Sequence, residues 1–337
     1  MIYSIFTLKF LAPVHFGDAA QGGLLDKISL GCSADTLFSA LCNEAAVIDE
    51  HLAAQLIEKV AAGKLAFSSL FPYWQDEEEM RFYLPKPLLH TEEKIREAKS
   101  YPEIKQLATK MKKQKKTAYV RASQMQALLQ AAKYGRLLEM DEPEFAVPLI
   151  AGKVNLRESE PLPYYVGSYV FSERAGLYLI CKAEEEAEIE FLEKLLQRLG
   201  YSGIGGKRSS GYGKFEVAED KIELFDDGEG IFADDSALAL MLYDNISEQQ
   251  MCIAPICPQK QDVETVKSGY YKLLKRGGFA YSHALRDNIK CNSVYMLAEG
   301  SCLSKRLKGN LVEQVIEGLH HKLYRNGMGM FVGLKDD

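Results

Sequence analysis

The sequence lacks the features that would assign it at once to a basic nucleic-acid coat or to a membrane protein. Its 337 residues carry a formal net charge of −6, so basic side chains are not in excess over the whole surface. No stretch approaches the roughly 18 uninterrupted apolar residues that a membrane-spanning helix requires. We therefore expect no membrane contact, and we expect any polyanion to bind at local clusters of basic residues.

The cysteines form neither a disulfide framework nor a zinc motif. There are seven, an odd number, and Cys252 and Cys257 are separated by four residues instead of the two of a CxxC pair. The N-terminal residues also lack the basic start and the small-residue cleavage site of a signal peptide. We expect reduced thiols in a cytoplasmic protein, with no metal site and no other cofactor.

Motifs for nucleotide hydrolysis and for dinucleotide binding are absent as well. A P-loop around Lys207 would need glycine at position 201 and serine or threonine at 208, where Tyr201 and Arg208 stand. A dinucleotide fingerprint beginning at Gly203 would need glycine at 208 and a preceding strand. ATPase and dehydrogenase functions are therefore poor interpretations.

What is present predicts an α+β protein of about two domains. The chain is 47% hydrophobic, which is enough to build sizeable cores and excludes wholesale disorder. Alternating apolar residues predict a strand over 2–11, and Ser33 or Asp35 is a candidate N-cap for the helix that follows. An amphipathic helix over 189–199 leads into a Gly-rich loop and a strand over 214–217, and further strands are expected at 164–169 and 176–181.

The sequence pattern of the second half repeats this order, which favours duplication of a βαββαβ unit. We expect a strand over 237–243, a helix over 312–323, a Gly-rich loop over 325–329 and a closing strand over 330–334. The acidic segment 216–235 is the candidate linker. The predicted domains are 1–220 and 236–337, and the first contains an irregular inserted region at about 76–161. Its basic stretch, 105–116, is a solvated face or a surface that steers RNA.

The loop 203–213 is the strongest candidate binding site. It contains five glycines, two serines and two basic residues in eleven positions. Glycines permit positive φ and bring backbone N–H groups close to a ligand, so this composition suits a phosphodiester chain; the alternative is a mobile turn. The candidate RNA-binding residues here are Gly203, Gly205, Gly206, Lys207, Arg208, Ser209, Ser210, Gly211, Tyr212, Gly213 and Lys214.

Two further positions could contact RNA. Arg276, Gly277 and Gly278 could offer a guanidinium and backbone donors to phosphate, although a hairpin turn explains the same residues. His15, just after the first predicted strand, has a side-chain type suited to acid–base catalysis of RNA cleavage. No partner for catalysis is evident in the sequence, so a structural or ligand-contacting role for His15 is the preferred interpretation.

Taken together, five segments resemble one known family. They are His15-Phe16-Gly17, 35–41, the loop 203–213, 275–281 and 294–301. This combination is similar to the RAMP-type subunit that caps the crRNA 5′ end in type III-A CRISPR (Csm) effector complexes. The Gly-rich loop is shared by RAMP proteins generally, and its pairing with the other segments is what makes the resemblance specific.

The resemblance implies two tandem ferredoxin-like (RRM-like, RAMP) domains and no catalytic activity. It implies that the protein holds the repeat-derived 5′ handle of the crRNA, pairs with the large polymerase/cyclase-like subunit and abuts the backbone RAMP subunit. The loop 203–213 would then bind the handle, with His15 and 276–278 near the same groove. The region 76–161 would include a thumb-like element at the junction between handle and guide.

One departure from the family concerns the C-terminal loop. Members commonly carry an aromatic residue and a lysine between its glycines, where this chain has Asn326 and Met328. Packing is therefore an alternative to phosphate contact at 325–329. Two other functions also remain open: a repeat-processing endoribonuclease of related fold that uses His15, and a pure scaffold whose loops contact only protein.

Overall fold

The structure is a computed structural model that describes residues 1–17, 24–89, 101–140, 143–155, 161–280, 289–315 and 322–335. The strands, numbered along the chain, are β1 (Ile2–Phe10), β2 (Leu65–Phe67), β3 (Phe71–Gln75), β4 (Met80–Pro85), β5 (Tyr119–Arg121), β6 (Ala146–Asn155), β7 (Leu162–Phe171), β8 (Ala175–Ala183), β9 (Phe215–Val217), β10 (Ile222–Leu224), β11 (Gln249–Cys252), β12 (Leu273–Arg276), β13 (Phe279–Ala280), β14 (Ile289–Lys290), β15 (Val294–Leu297), β16 (Cys302–Leu303), β17 (Gly309–Gln314), β18 (Leu323–Met328) and β19 (Phe331–Leu334). The helices are α1 (Ala34–Ile48), α2 (Glu50–Ala62), α3 (Tyr101–Lys116), α4 (Met125–Lys133), α5 (Glu186–Ser202), α6 (Ala233–Tyr243) and α7 (Val263–Lys267).

An antiparallel sheet of eight strands organises the first half. Its strand order is β10-β1-β8-β3-β4-β5, with β2 paired to β8 and β9 paired to β1. Strands β6 and β7 form a separate long hairpin, in register from Ala146 opposite Phe171 to Asn155 opposite Leu162. The predicted α+β class is therefore confirmed.

The central strands are covered on both faces. Residues on both faces of β1, such as Ile5 and Phe6, are buried, and β8 is buried along almost its whole length. Helix α5 packs against β8 and β9, whereas α6 packs against β4 and β10. One hydrophobic cluster joins residues of both halves, including Leu179, Leu242 and Val332.

Several elements predicted from sequence periodicity are confirmed. Strand β1 and helix α1 lie where they were expected, and Ser33 is the N-cap residue of α1. Helix α5 extends through the predicted helix and ends before Gly203. Strands β7, β8, β9 and β19 also coincide with predicted strands.

The strand predicted over 237–243 is wrong, because these residues belong to helix α6. Leucine and alanine are strong helix formers, and Asp234 and Asp235 lie in the first helical turn, where carboxylates favour a helix. Leu238 and Leu242 are four residues apart and both buried, which is a helical spacing. Helical propensity and the carboxylates at the N-terminus of α6 therefore favour a helix over the strand that the apolar run suggested.

The helix predicted near the C-terminus is also wrong where the structure describes it. Val312 lies in β17 and Leu323 in β18, and these strands pair antiparallel with Val312 opposite Arg325. Residues 316–321, in the middle of the predicted helix, lie outside the described residues. The predicted loop 325–329 mostly continues β18, so the end of the second half does not repeat the helix–loop–strand order of the first.

The region 76–161 is more regular than predicted. It supplies β4 and β5 to the main sheet, and it also contains α3, α4 and β6. The acidic segment 216–235 is not an extended linker, because β10 within it pairs with β1. Asp234 in this segment is fully buried and accepts hydrogen bonds from the Arg121 Nε, at 2.9 Å, and from the Phe82 amide.

All seven cysteines are free thiols, as the sequence predicted. Burial raises the pKa of the Cys42 thiol to about 12, so this group stays protonated at neutral pH. In the described ranges no helix has the length and apolar character needed to cross a bilayer. The same residues contain no group of three or more histidine, cysteine or acidic side chains able to hold a metal ion.

Candidate nucleic-acid interface

The Gly-rich loop 203–213 begins where α5 ends and is held against the segment that follows β1. The Gly213 amide donates to the Pro13 carbonyl at 2.8 Å, and the Gly206 amide donates to the His15 carbonyl, also at 2.8 Å. Across the base of the loop, the Ile204 amide donates to the Gly213 carbonyl at 3.0 Å, and Ile204 is fully buried. These bonds make the loop a fixed part of the fold instead of a mobile turn.

Two of its glycines are required by packing inside the protein. A Cβ atom at Gly213 would overlap the Ile204 carbonyl oxygen, and this residue has φ of 75°. A Cβ at Gly206 would stand 2.5 Å from Cδ2 of His15. The prediction of positive φ in this loop is correct for Gly213. The sequence analysis attributed the glycines to close approach of a ligand, whereas at Gly206 and Gly213 protein atoms already lie too close for a Cβ.

Two cation–π contacts join the loop to the β6–β7 hairpin. The Lys207 ammonium lies 5.0 Å from the centre of the Tyr164 ring, and the Lys153 ammonium lies 5.0 Å from the Tyr212 ring. Such contacts are attractive because the ring face is electronegative. Sequence reasoning placed Tyr164 in a strand but missed its role and that of Lys153, since nothing in the sequence pairs residues this far apart.

The tip of the loop faces solvent. Arg208, Ser209 and Ser210 form one turn of 3-10 helix, and both serines are exposed, as are Gly211 and Lys214. Arg208 is half-buried, and its Nη1 lies 3.8 Å from the Glu44 carboxylate. The loop therefore presents hydroxyl and basic groups above a rigid base.

His15 is buried directly beneath this loop. Its Nδ1 lies 2.7 Å from the Gly167 carbonyl oxygen, which can only accept, so Nδ1 carries a proton. In the neutral ring, Nε2 is then the acceptor. The structure places His15 beside Gly206 of the loop, as the family resemblance implied, and the imidazole has a packing role there.

The Arg276 guanidinium forms a double ion pair with a buried carboxylate. It donates to both oxygens of Asp35, at 2.9 and 2.8 Å, and to the Thr36 hydroxyl at 2.6 Å. Gly277 and Gly278 separate β12 from β13, and Gly278 has φ of 104°. Arg276 thus anchors its strand to the start of α1, in addition to any contact with phosphate.

Arg325 is a further basic residue at this point. Its Nη1 donates to Asp35 at 2.7 Å, and its Nη2 donates to the Gly277 carbonyl at 3.3 Å. Two guanidinium groups therefore share one carboxylate, and the carboxylate of Glu299 lies close enough to interact electrostatically with Arg276. The sequence predicted a loop over 325–329 and did not predict contact between Arg325 and Asp35. Arg325 reaches Asp35 because it lies in β18, which pairs with β17.

A cleft of about 1160 Å³ between the two halves brings some of these groups together. The loop, His15 and the Arg276 strand, which the sequence proposed separately, contribute to one continuous surface. The lining also includes the carboxylates of Asp35 and Glu299. The candidate residues that lie outside the lining are Gly203, Lys207, Ser209, Ser210, Gly211, Tyr212, Gly213, Lys214 and Gly278. The lining residues from the candidate positions are His15, Gly205, Gly206, Arg208, Arg276 and Gly277.

Comparison with known proteins identifies the family. Residues 62–216 match the model of the RAMP superfamily, and residues 245–334 match the model of the CRISPR Csm4 C-terminal domain. The CRISPR system Cms protein Csm4 of Streptococcus thermophilus is 30% identical over 314 residues, covering 93% of this chain and 92% of that protein. This chain belongs to the Csm4 family. The Csm4 protein of Mycobacterium tuberculosis strain H37Rv is 27% identical and covers 96% of this chain and 95% of its own length.

Solved structures of family members share the fold. A crystal structure of a Csm3-Csm4 subcomplex of the type III-A CRISPR-Cas interference complex has a chain with a TM-score of 0.61 and 17% identity, covering 99% of this chain and 100% of that one. A Csm1-Csm4 cassette crystallised with pppApA gives a TM-score of 0.60 at 20% identity, covering 99% and 98%. The resemblance read from the sequence is therefore confirmed at the level of the family.

Proposed function

We propose that this chain is a non-catalytic RNA-binding subunit of a type III-A CRISPR interference complex, which binds and positions the 5′ handle of the crRNA in the cytoplasm. The observation that carries the proposal is the cleft, where the Gly-rich loop, His15 and Arg276 lie together. A groove with guanidinium groups and backbone amides suits a single-stranded RNA end, which proteins recognise by shape and backbone contacts. Holding that end sets the register of the guide for every neighbouring subunit.

The partners that we propose follow from family membership. One solved relative is a cassette of Csm4 with Csm1, and another is a subcomplex of Csm4 with Csm3. By analogy, this chain would bridge the large polymerase/cyclase-like subunit and the backbone RAMP subunit. We also propose two tandem ferredoxin-like domains, 1–220 and 236–337, with a thumb-like element in 76–161. The break between the matches to 62–216 and 245–334 supports this division, and the β6–β7 hairpin, which is separate from the main sheet, supports the thumb.

Replacing Lys207 and Arg208 together by alanine should weaken handle binding and reduce its dependence on salt. With about four contacted phosphates, log K should fall against log salt with a slope near −3, at about 0.7 per phosphate. If both side chains neutralise phosphates, the double variant should flatten that slope by about 1.4. Fluorescence anisotropy of a labelled handle RNA over a range of salt concentrations measures both quantities.

A matched control replaces Lys194 and Arg198, which are exposed on α5, by alanine. It removes the same charges and should leave the slope unchanged. Circular dichroism checks that the loop variant, which loses the Lys207–Tyr164 contact, remains folded. Equal affinity and slope for a folded loop variant and the unaltered protein would reject the loop as the handle site.

The rival function is repeat cleavage with His15 as general acid or base. We expect no cleavage of labelled repeat RNA by the purified chain, because Nδ1 of His15 is bonded to the Gly167 carbonyl and the imidazole packs under Gly206. Cleavage is followed by denaturing gel electrophoresis. Activity that survives further purification and disappears in a folded His15→Ala variant would establish the endoribonuclease instead.

A further inference from the structure

Helix α3 is a strongly basic helix that the handle-binding site does not use. Between positions 105 and 116 the sequence has no acidic residue. Its lysines, all exposed, are Lys105, Lys110, Lys112, Lys113, Lys115 and Lys116. This density of positive charge stands out in a chain whose net charge is −6.

Helix stability alone does not explain this pattern. Lysines in the last turn interact favourably with the helix dipole, which accounts for Lys113, Lys115 and Lys116. Lys112 with Lys116 forms a repulsive pair at i, i+4. A bound polyanion would relieve this repulsion.

The C-terminal end of α3 reaches the rim of the cleft. Ala118 and Tyr119, which follow Lys116 by two and three residues, line the cleft. Lys86 holds the helix end there, since its ammonium donates to the Gln114 carbonyl at 2.6 Å and its amide donates to the Ala118 carbonyl at 2.9 Å. The lysines of the last turn of α3 therefore lie within a few residues of the cleft lining, on a helix about 24 Å long.

We propose that α3 is a second RNA-binding surface, which contacts the phosphate backbone of the guide RNA where that strand leaves the cleft. This inference rests on the proposed function, because it extends the track of an RNA already held there. Ammonium groups on a solvated helix act as point charges. They attract the charged phosphates of RNA but do not distinguish one base from another. Recognition by α3 is therefore independent of sequence.

The experiment compares two RNAs on the full-length chain: the 5′ handle of the host's own CRISPR repeat, and the same handle with a 3′ extension of uridines. Extension should tighten binding by the unaltered protein and steepen its salt dependence. In the variant Lys112→Gln, Lys115→Gln, Lys116→Gln, affinity for the handle alone should be kept. The ratio of the two Kd values should fall to about one, and the salt slope for the extended RNA should decrease by about 2.

A control variant, Lys64→Gln, Lys194→Gln, Lys267→Gln, removes the same charge from exposed positions elsewhere and should behave as the unaltered protein. If the unaltered protein binds both RNAs equally, the α3 surface is overturned while the proposed function stands. If the handle alone does not bind, the proposed function fails. The proposal for α3 then fails with it, because no RNA is held in the cleft for α3 to contact. An α3-dependent affinity for anionic lipid vesicles, with no effect of RNA extension, would also overturn this proposal.

Discussion

Replacing Asp35 by asparagine is expected to lower the free energy of unfolding by about 3 to 5 kcal/mol, because it leaves two half-buried guanidinium groups without their shared, fully buried counter-charge. Asp35 is fully buried and pairs with both Arg276 and Arg325. The amide of asparagine would place a donor against one of these donors, where the carboxylate accepts from both. Urea unfolding followed by circular dichroism measures the loss.

The substitution should also disturb the geometry of the cleft, because Asp35 joins α1 to β12 and β18. Handle affinity of any folded fraction is therefore expected to decrease. Asp226→Asn, at an exposed position of the acidic segment, removes the same charge and should change stability by less than about 0.5 kcal/mol. Equal stability of the two variants would show that the Asp35 cluster does not hold the halves together.

The second large effect is expected at Gly213. Alanine there should destabilise the protein by about 3 kcal/mol, since the left-handed backbone penalises a Cβ and the new atom would overlap the Ile204 carbonyl oxygen. The loop would have to move away from Pro13 and His15 to make room. Handle RNA affinity should fall with it, and thermal unfolding and anisotropy measure the two losses.

Gly211 offers a matched control in the same loop. Its φ of 83° is similar, but a Cβ at this position would meet no atom within 4 Å. Gly211→Ala should therefore cost only the backbone penalty of about 1 to 2 kcal/mol and keep most RNA affinity. If Gly213→Ala were no more harmful than Gly211→Ala, close packing beneath the loop would not be the reason for its glycines.

Local patterns predicted β1, α1, α5 and the strands β7 to β9 of the first half, but they missed the helices and strands between residues 50 and 155. β1 and α5 are long and strongly periodic, and the glycines after α5 predicted the loop. The same reasoning misassigned α6, because an apolar run of seven residues fits a buried strand as well as a helix. It also misassigned 312–323, where apolar spacing typical of a helix includes valines that form a strand in β17.

The candidate site could be predicted only as separate segments. Loop 203–213, His15 and 276–278 were each found from composition and family resemblance, and the structure joins His15, Arg276 and part of the loop in one cleft. Tyr164, Lys153 and Arg325 were not found, since each acts through a partner distant in the sequence. Asp35 and Arg276, for example, are 241 residues apart.

Hydrophobic periodicity and glycine placement by themselves predicted an α+β protein with a Gly-rich basic loop after the helix over 189–199, and the resemblance of five segments indicated a RAMP protein. These properties are local, because a helix face or a left-handed turn depends on residues a few positions apart. Only the tertiary structure decided which charges remain available to RNA. Burial of Asp35 pairs it with Arg276 and Arg325, and packing of the β6–β7 hairpin holds Lys207 over Tyr164, because ion pairing and ring contact depend on distance in space.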